Sequence, residues 1–339
     1  MTDAAAPVSV VVTCYNLERY IGEAIQSVLA QRGAPPFELI VVDDCSTDRS
    51  AEIIRGLPEA AYLRTPENSG VLLAMIAGVE RAKNDIVCLL DGDDLWEPGK
   101  LAATAAAFEA DPKAALVTHD LSFIDEAGRP IDRKSRPAEE LTLLDPPHAA
   151  KRIRDGILEL GDYVWLGSAL SFRRSLAGWD AFAAFARSLP DPRNCYQDWP
   201  LAYWIASLPE SRTAYVPQRL FRYRLHGQNY SSDARTVERA VRNFIRTRNT
   251  LAAMVEIGDR HSVTGRQKRL VRQRLAFNAA QVDLYRGRRL RAIGGLLRGL
   301  PSVARDGILA KEVARFAVGA LFGPRALTRI AALRAAAGP

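Results

Sequence analysis

Three aspartates close a short apolar run in Asn84–Trp96 (NDIVCLLDGDDLW), and here the residue types first suggest chemistry. Ile86–Leu90 is apolar throughout, as suits a strand buried on both faces of a parallel sheet, and Asp91-Gly92-Asp93-Asp94 follows at once. Carboxylates at the carboxyl end of such a strand lie where open α/β sheets place their ligands. They repel one another, so the cluster costs stability unless a cation or hydrogen-bond donors offset it. A divalent metal site on a nucleotide-binding sheet is the chemistry this pattern predicts. An acidic turn after a strand is the structural alternative.

The elements that must position these residues are legible around them. Val8–Thr13 is a β-branched run that predicts a buried strand, and Glu18–Gln31 carries Ile21, Ala24, Ile25, Val28 and Leu29 at helical spacing. Phe37–Val42 predicts a second strand ending in Asp43-Asp44, with Ser46 or Thr47 as N-cap of a helix near Arg49–Gly56. A weaker strand at Ala61–Thr65, a turn at Asn68-Ser69-Gly70 and a helix over Val71–Ala82 lead into the acidic strand. Pro98–Ala110 reads as helix and Ala114–Thr118 as a fifth strand. Repeated strand–helix alternation with short links predicts an α/β, doubly wound, mostly parallel sheet. The polar ends Thr13/Tyr15, Asp43/Asp44 and Asp91/Asp93 then share one edge. No Gly-x-Gly-x-x-Gly or Walker-type loop follows the first strand, which excludes dehydrogenase-like and P-loop modes of nucleotide binding.

Beyond residue 120 the alternation breaks. Asp125–Gly128 reads as a hairpin tip, Arg133–Pro147 as a loop, and Tyr163–Arg173 as extended structure. Tyr196–Ser207 predicts a helix with Asp198 near its start, and Thr213–Arg224 a pair of strands. From Thr236 onward long amphipathic helices are expected, broken near Gly258, Gly287, Pro301 and Pro324. The domain division this predicts is 1–234 and 235–339.

Charge follows the same division. The 339-residue chain has a net charge of +7, yet residues 235–339 hold 22 Lys and Arg against 6 Asp and Glu, and the first 234 hold 24 against 33. Four widely spaced cysteines, without a Cys-x-x-Cys pair, read as reduced thiols of a cytoplasmic protein. The start, MTDAAAPVSV, lacks a basic n-region followed by an apolar stretch, so no secretory signal is expected.

Val10–Gln31 (VVVTCYNLERYIGEAIQSVLAQ), Leu39–Ser50 (LIVVDDCSTDRS), Asn68-Ser69-Gly70 and Leu89–Trp96 (LLDGDDLW) follow one another at the spacing of the family 2 glycosyltransferases, which this chain resembles. Weaker likeness runs through Gly167–Arg174, Gln197-Asp198-Trp199 and Phe221–Ser231 (FRYRLHGQNYS). The resemblance implies a GT-A fold with a C-terminal α-helical extension and inverting, metal-dependent transfer from a nucleotide-sugar donor. It places Asp93 on Mg²⁺ or Mn²⁺, with His226 reaching the metal or diphosphate. Thr13, Tyr15 and Asp43 match positions that hold the base and ribose, and Asp91 lies nearer the ribose. Gly167 matches a cleft loop, and Arg224 a C-terminal donor motif.

Asp198 matches the family's general base, beside Gln197 where a Glu is usual; capping of its helix is the structural alternative. Asp44 and Asp94 read as turn or capping carboxylates. Trp165 and Trp199 suit either sugar stacking or core packing. Met75-Ile76 stands where the family commonly shows an Arg-Asn pair.

The expected donor is a UDP-, GDP- or dTDP-sugar, and the acceptor a glycan or lipid-linked hydroxyl in polysaccharide biosynthesis. The competing class is a GT-A-like module that binds a nucleotide sugar without turning it over. A nucleotidyltransferase would carry a Gly-rich basic loop near the first strand, and none is present. For the tail, docking on an anionic membrane surface, peripheral at the inner face of the cell membrane, stands against packing of its apolar faces on the protein itself. Nucleic-acid binding lacks interleaved aromatics and any known module.

Overall fold

Alternating apolar runs and helical stripes become layers because each must bury its apolar side. The computed structural model describes residues 6–133, 146–160, 166–227, 236–261, 263–305, 309–323 and 326. Trp165 and part of Tyr163–Arg173 lie outside these, as do most of Arg133–Pro147 and residues 228–231. In chain order, the first half contains β1 (Val8–Cys14), α1 (Ile21–Leu29), β2 (Phe37–Asp43), α2 (Ser50–Arg55), β3 (Ala61–Arg64) and α3 (Val71–Arg81). Next come β4 (Ile86–Asp91), β5 (Leu95–Trp96), α4 (Lys100–Ala110), β6 (Ala114–Ile124), β7 (Pro130–Ile131) and α5 (Pro146–Leu158). A short 3₁₀ turn at Gly167–Ala169 precedes β8 (Ser171–Arg173), α6 (Trp179–Ser188), α7 (Asp198–Ser207) and β9 (Arg212–Arg224).

Among the described residues, nine strands form one sheet in the order β3-β2-β1-β4-β8-β6-β9-β5, with β7 on β6. Pairing is parallel through β3-β2-β1-β4 and again between β6 and β9. The short strand β8 enters antiparallel between β4 and β6, which makes the sheet mixed. All seven residues of β1 are buried, as expected of a central parallel strand covered on both faces. Helix α1 turns Ile21, Ala24, Ile25 and Val28 onto that core.

Three local expectations change. Thr213–Arg224 is one long strand rather than two, kept continuous by irregularities opposite His119 and Asp120 that absorb its bend. Helix α2 starts at Ser50, where the Asp48 carboxylate accepts from the Ser50 N–H; Ser46 is instead spent on the Asn16 N–H. Pro301 sits inside a helix instead of ending it.

Internal contacts divide the chain into two compact units, residues 1–225 and 226–339. The second holds α8 (Val237–Arg260), α9 (Gly265–Tyr285), α10 (Arg289–Arg305) and α11 (Leu309–Phe322). Thr264 and Gln267 form a reciprocal capping box at the start of α9. Ala240, Ala280, Leu284, Tyr285, Ala292 and Phe316 make one buried cluster of this unit. No helix among the described residues is long and apolar enough to cross a membrane.

Helix α3 lies so close to β1 and β2 that a Cβ on Gly78 would come within 2.4 Å of Val11 and 2.8 Å of Val42. Gly78→Ala is therefore expected to destabilise the first unit by about 1–3 kcal/mol through overpacking. Urea unfolding checks this, the expected sign being a lower midpoint at unchanged slope.

Candidate active site

Register brings the polar strand ends together. In the parallel ladders Thr13 pairs with Asp91 and Cys14 with Asp43, so the ends of β1, β2 and β4 lie side by side. Beyond Asp91 the chain turns back, with the Asp94 N–H donating to the Asp91 carbonyl and the Gly92 N–H to the Thr13 carbonyl.

Protein donors fill some of these carboxylates. Asp43 is fully buried; its oxygens accept from the Ser46 N–H, the Tyr62 hydroxyl and the Arg64 guanidinium. Burial alone would raise its pKa, but the bonds from Ser46 and Tyr62 and the charge of Arg64 hold it below the usual carboxylate range. Asp44 serves a longer-range purpose than a local turn. It accepts from the Thr65 and Ser69 hydroxyls and the Ser69 and Gly70 N–H groups, fixing the turn that leads into α3. Asp94 is buried and caps no helix. It accepts from the Ser168 hydroxyl at 2.6 Å and the Arg224 N–H at 3.0 Å, tying the acidic turn to the Gly167–Ala169 turn and to β9. Burial first, then Asp93 and Asp91, pushes its pKa well above the ordinary value.

Arg224, which the resemblance makes a donor contact, is 1% exposed and spends its guanidinium on the protein. Its Nε donates to the Asp93 carbonyl, its other nitrogens to the Glu126 carbonyl and Glu23 carboxylate, and it lies over the Tyr20 ring. Here it braces the turn that carries Asp93.

Asp91 and Asp198 are raised as well. Asp91 accepts from Gln197 Nε2 at 2.5 Å and the Thr13 hydroxyl at 3.3 Å. Burial pushes its pKa up to about 8, with the charges of Asp93 and Asp198 adding to the shift. Asp198 opens α7, and its Oδ1 accepts from the Trp199 N–H at 2.9 Å. Burial raises it to about 7, against backbone N–H groups of Trp199, Asp198 and Gly167 that pull it down. Gly167 has no room for a side chain: a Cβ there would lie 2.8 Å from Gln197 Nε2 and 3.1 Å from Asp91 Oδ2. Gly167, Gln197, Asp91 and Thr13 therefore interlock.

The other named residues fall as follows. Tyr15 follows β1 with 44% of its surface exposed. Trp199 is half-buried and tilts against Tyr196. Met75 and Ile76 are fully buried in α3, so these two positions serve the core. His226 begins the second unit and is 7% exposed. The Tyr62 and Arg64 contacts to Asp43 were missed from sequence; β2–β3 register, which pairs Asp43 with Arg64, was the available signal. A cavity of about 490 Å³ opens elsewhere, around Asn84, Asp85, Arg174 and Trp179 before the start of β4. Asp85 there is already held by Ser175 and Arg173, so the carboxylates at the far end of β4 define the candidate site.

Among the described residues no group of three or more His, Cys, Asp or Glu forms a ready-made metal cage. The donor set still fits a divalent ion shared with a ligand. Mg²⁺ and its relatives take one or two carboxylates and complete their shell with substrate phosphates and water. Carboxylates that raise one another's pKa, as Asp93 and Asp198 do to Asp91, are the environment such a charge relieves.

The glycosyl transferase family 2 model matches residues 9–164. An uncharacterized glycosyltransferase of Nostoc sp. is 31% identical over 232 residues, 66% of this chain and 66% of its own length. The chain belongs to glycosyltransferase family 2. TuaG of Bacillus subtilis, named for teichuronic acid biosynthesis, is 34% identical over 151 residues, 43% of this chain and 58% of TuaG. The matches thus span roughly two thirds or less of these relatives' lengths.

Among solved structures, Staphylococcus aureus TarS 1–349 superposes with a TM-score of 0.58 at 17% identity, over 95% of this chain and 89% of that one. The mannosyltransferase PcManGT of Pyrobaculum calidifontis, solved with GDP-Man and Mn²⁺, gives 0.53 at 19% identity, over 98% and 88%. The family member described here has the GT-A fold, with a helical C-terminal region.

Arg224→Met should destabilise the first unit by about 1–3 kcal/mol, because the carbonyls of Asp93 and Glu126 lose their buried donor. Lysine should restore little, since it cannot reproduce the fork. Urea denaturation of both variants reads the difference.

Proposed function

We propose that this chain transfers a sugar from a nucleoside-diphosphate donor to a hydroxyl of a glycan or lipid-linked acceptor, with inversion at the anomeric carbon. Its setting would be cell-surface polysaccharide assembly on the cytoplasmic side. The observation that carries the reading is electrostatic: Asp91 at the end of β4 feels both Asp93 of its own turn and Asp198 from a distant segment. A nucleotide edge, a diphosphate site and a base belong at one place in such an enzyme.

Thr13 and Tyr15 would hold the nucleoside, Tyr15 offering an exposed ring, while the buried Asp43, its oxygens taken by Ser46, Tyr62 and Arg64, would fix the strand end beside them. Asp91 would face the ribose. Asp93 would hold Mg²⁺ or Mn²⁺, which when bound offsets the charge of the diphosphate leaving group. Gly167 keeps space beside Asp91. Arg224 acts through the Asp93 backbone, as a positioning residue. Asp198 would take the proton of the attacking hydroxyl, and a carboxylate held near neutrality is suited to that task. Support for the donor class and setting comes from the relative named for teichuronic acid biosynthesis and the neighbour solved with GDP-Man and Mn²⁺. Against a module that only binds, Met75-Ile76 lies in the core, and Gln197 supports Asp91 through its amide.

A base acts only when ionised, and Asp198 is raised to about 7. Transfer, or slow donor hydrolysis, should therefore rise about tenfold per pH unit below roughly 7 and level off above it. Asp198→Asn should lower turnover by about 10²–10⁴-fold while leaving nucleoside-diphosphate affinity nearly unchanged. Release of UDP or GDP from nucleotide sugars, followed against pH, measures both. Binding without turnover by the unmodified chain with every donor and acceptor would overturn the reading in favour of the binding module.

A further inference from the structure

Helix α10 (RLRAIGGLLRGLPSVAR) is amphipathic, but it packs the small residues and exposes the large ones. Ala292 is fully buried, and Gly295 and Gly299 lie against α9: a Cβ on Gly295 would sit 2.9 Å from the Ala280 Cβ, and one on Gly299 2.5 Å from the Phe277 Cβ. On the outside, Leu290 is 86% exposed, Leu297 63% and Ile293 44%. At roughly 100° per residue, these three and the exposed Pro301 occupy one sector roughly 80° wide, opposite the packed glycines. Leu321 and Phe322, at the end of α11, add exposed apolar surface to the same unit. An apolar face of this kind ordinarily turns inward. Here the glycines let α9 take the other side.

Charge says what covers it. Arg291 and Arg298 flank the apolar sector on one side and Arg289 on the other, all exposed. None of the three makes an ion pair among the described residues, whereas Arg288, on the packed side, is held by Asp283. No Asp or Glu occurs in α10. A second copy laid on this face by a two-fold axis would bring arginine against arginine. A sheet of anionic headgroups over hydrocarbon complements both the stripe and its flanks.

We propose that the exposed face of α10 docks on an anionic lipid surface, with Leu290, Ile293 and Leu297 entering the headgroup boundary and Arg289, Arg291 and Arg298 at the phosphates. This goes beyond sugar transfer and does not rest on it, because docking needs neither donor nor turnover. The test is flotation of the full chain with phosphatidylcholine vesicles, with and without phosphatidylglycerol. The chain should float with the mixed vesicles and stay behind with phosphatidylcholine alone. Leu290→Ser with Leu297→Ser, and separately Arg291→Gln with Arg298→Gln, should each reduce the bound fraction on the order of tenfold, at unchanged Tm and circular dichroism. Absence of flotation with the mixed vesicles, or equal flotation of both double variants, overturns the proposal. So does self-association by light scattering that the two serine substitutions abolish, which would give this face to a second copy.

Discussion

Carboxylates gathered at the ends of adjacent parallel strands repel one another, and the first unit is built around managing that repulsion. Asp43 and Asp44 are met by donors from the chain itself: a tyrosine and an arginine on β3 for the first, a hydroxyl–amide pocket for the second. Asp94 is tied through Ser168 and β9. Burial still outweighs the donors at Asp91, Asp94 and Asp198, and all three stay raised, Asp91 to about 8 and Asp198 to about 7. In the proposed reading, the acids that stay raised are reserved for a ligand. A cation with a diphosphate is the partner whose charge fits.

Rigidity comes from the ladder beneath. Because β1 is paired in register with both β2 and β4, the ends of β1 and β2 and the acidic turn cannot shift independently. The remaining carboxylate arrives on a separate helix start and is locked by contact rather than by register. Gln197 donates to Asp91, and Gly167 yields the space for it. An amide where the family commonly has a carboxylate replaces one more repulsive charge with a donor, which suits a cluster of like charges.

The parallel half of the fold was legible in sequence because each β-branched run there is followed by a helical stripe, and period alone separates the two. The three polar strand ends followed from the same logic. What stayed hidden was set by tertiary partners. The insertion of Ser171–Arg173 between β4 and β6 leaves no periodic trace in three residues. Arg224 was expected to touch the donor because its segment resembles a C-terminal family motif, and only the carbonyls and carboxylate around it reveal a brace. The tail's apolar stripe was plain, but whether it faced in or out depended on two glycines and the helix opposite them.

The reserved acids are tested most directly by calorimetric titration of UDP or GDP into the chain, in Mn²⁺ and again in EDTA. If the cluster exists to hold a cation-bound diphosphate, the two ligands must strengthen each other reciprocally. Binding in Mn²⁺ should then be roughly tenfold or more tighter, and Asp93→Ala should erase the difference. Equal affinity in EDTA and Mn²⁺ would contradict the account.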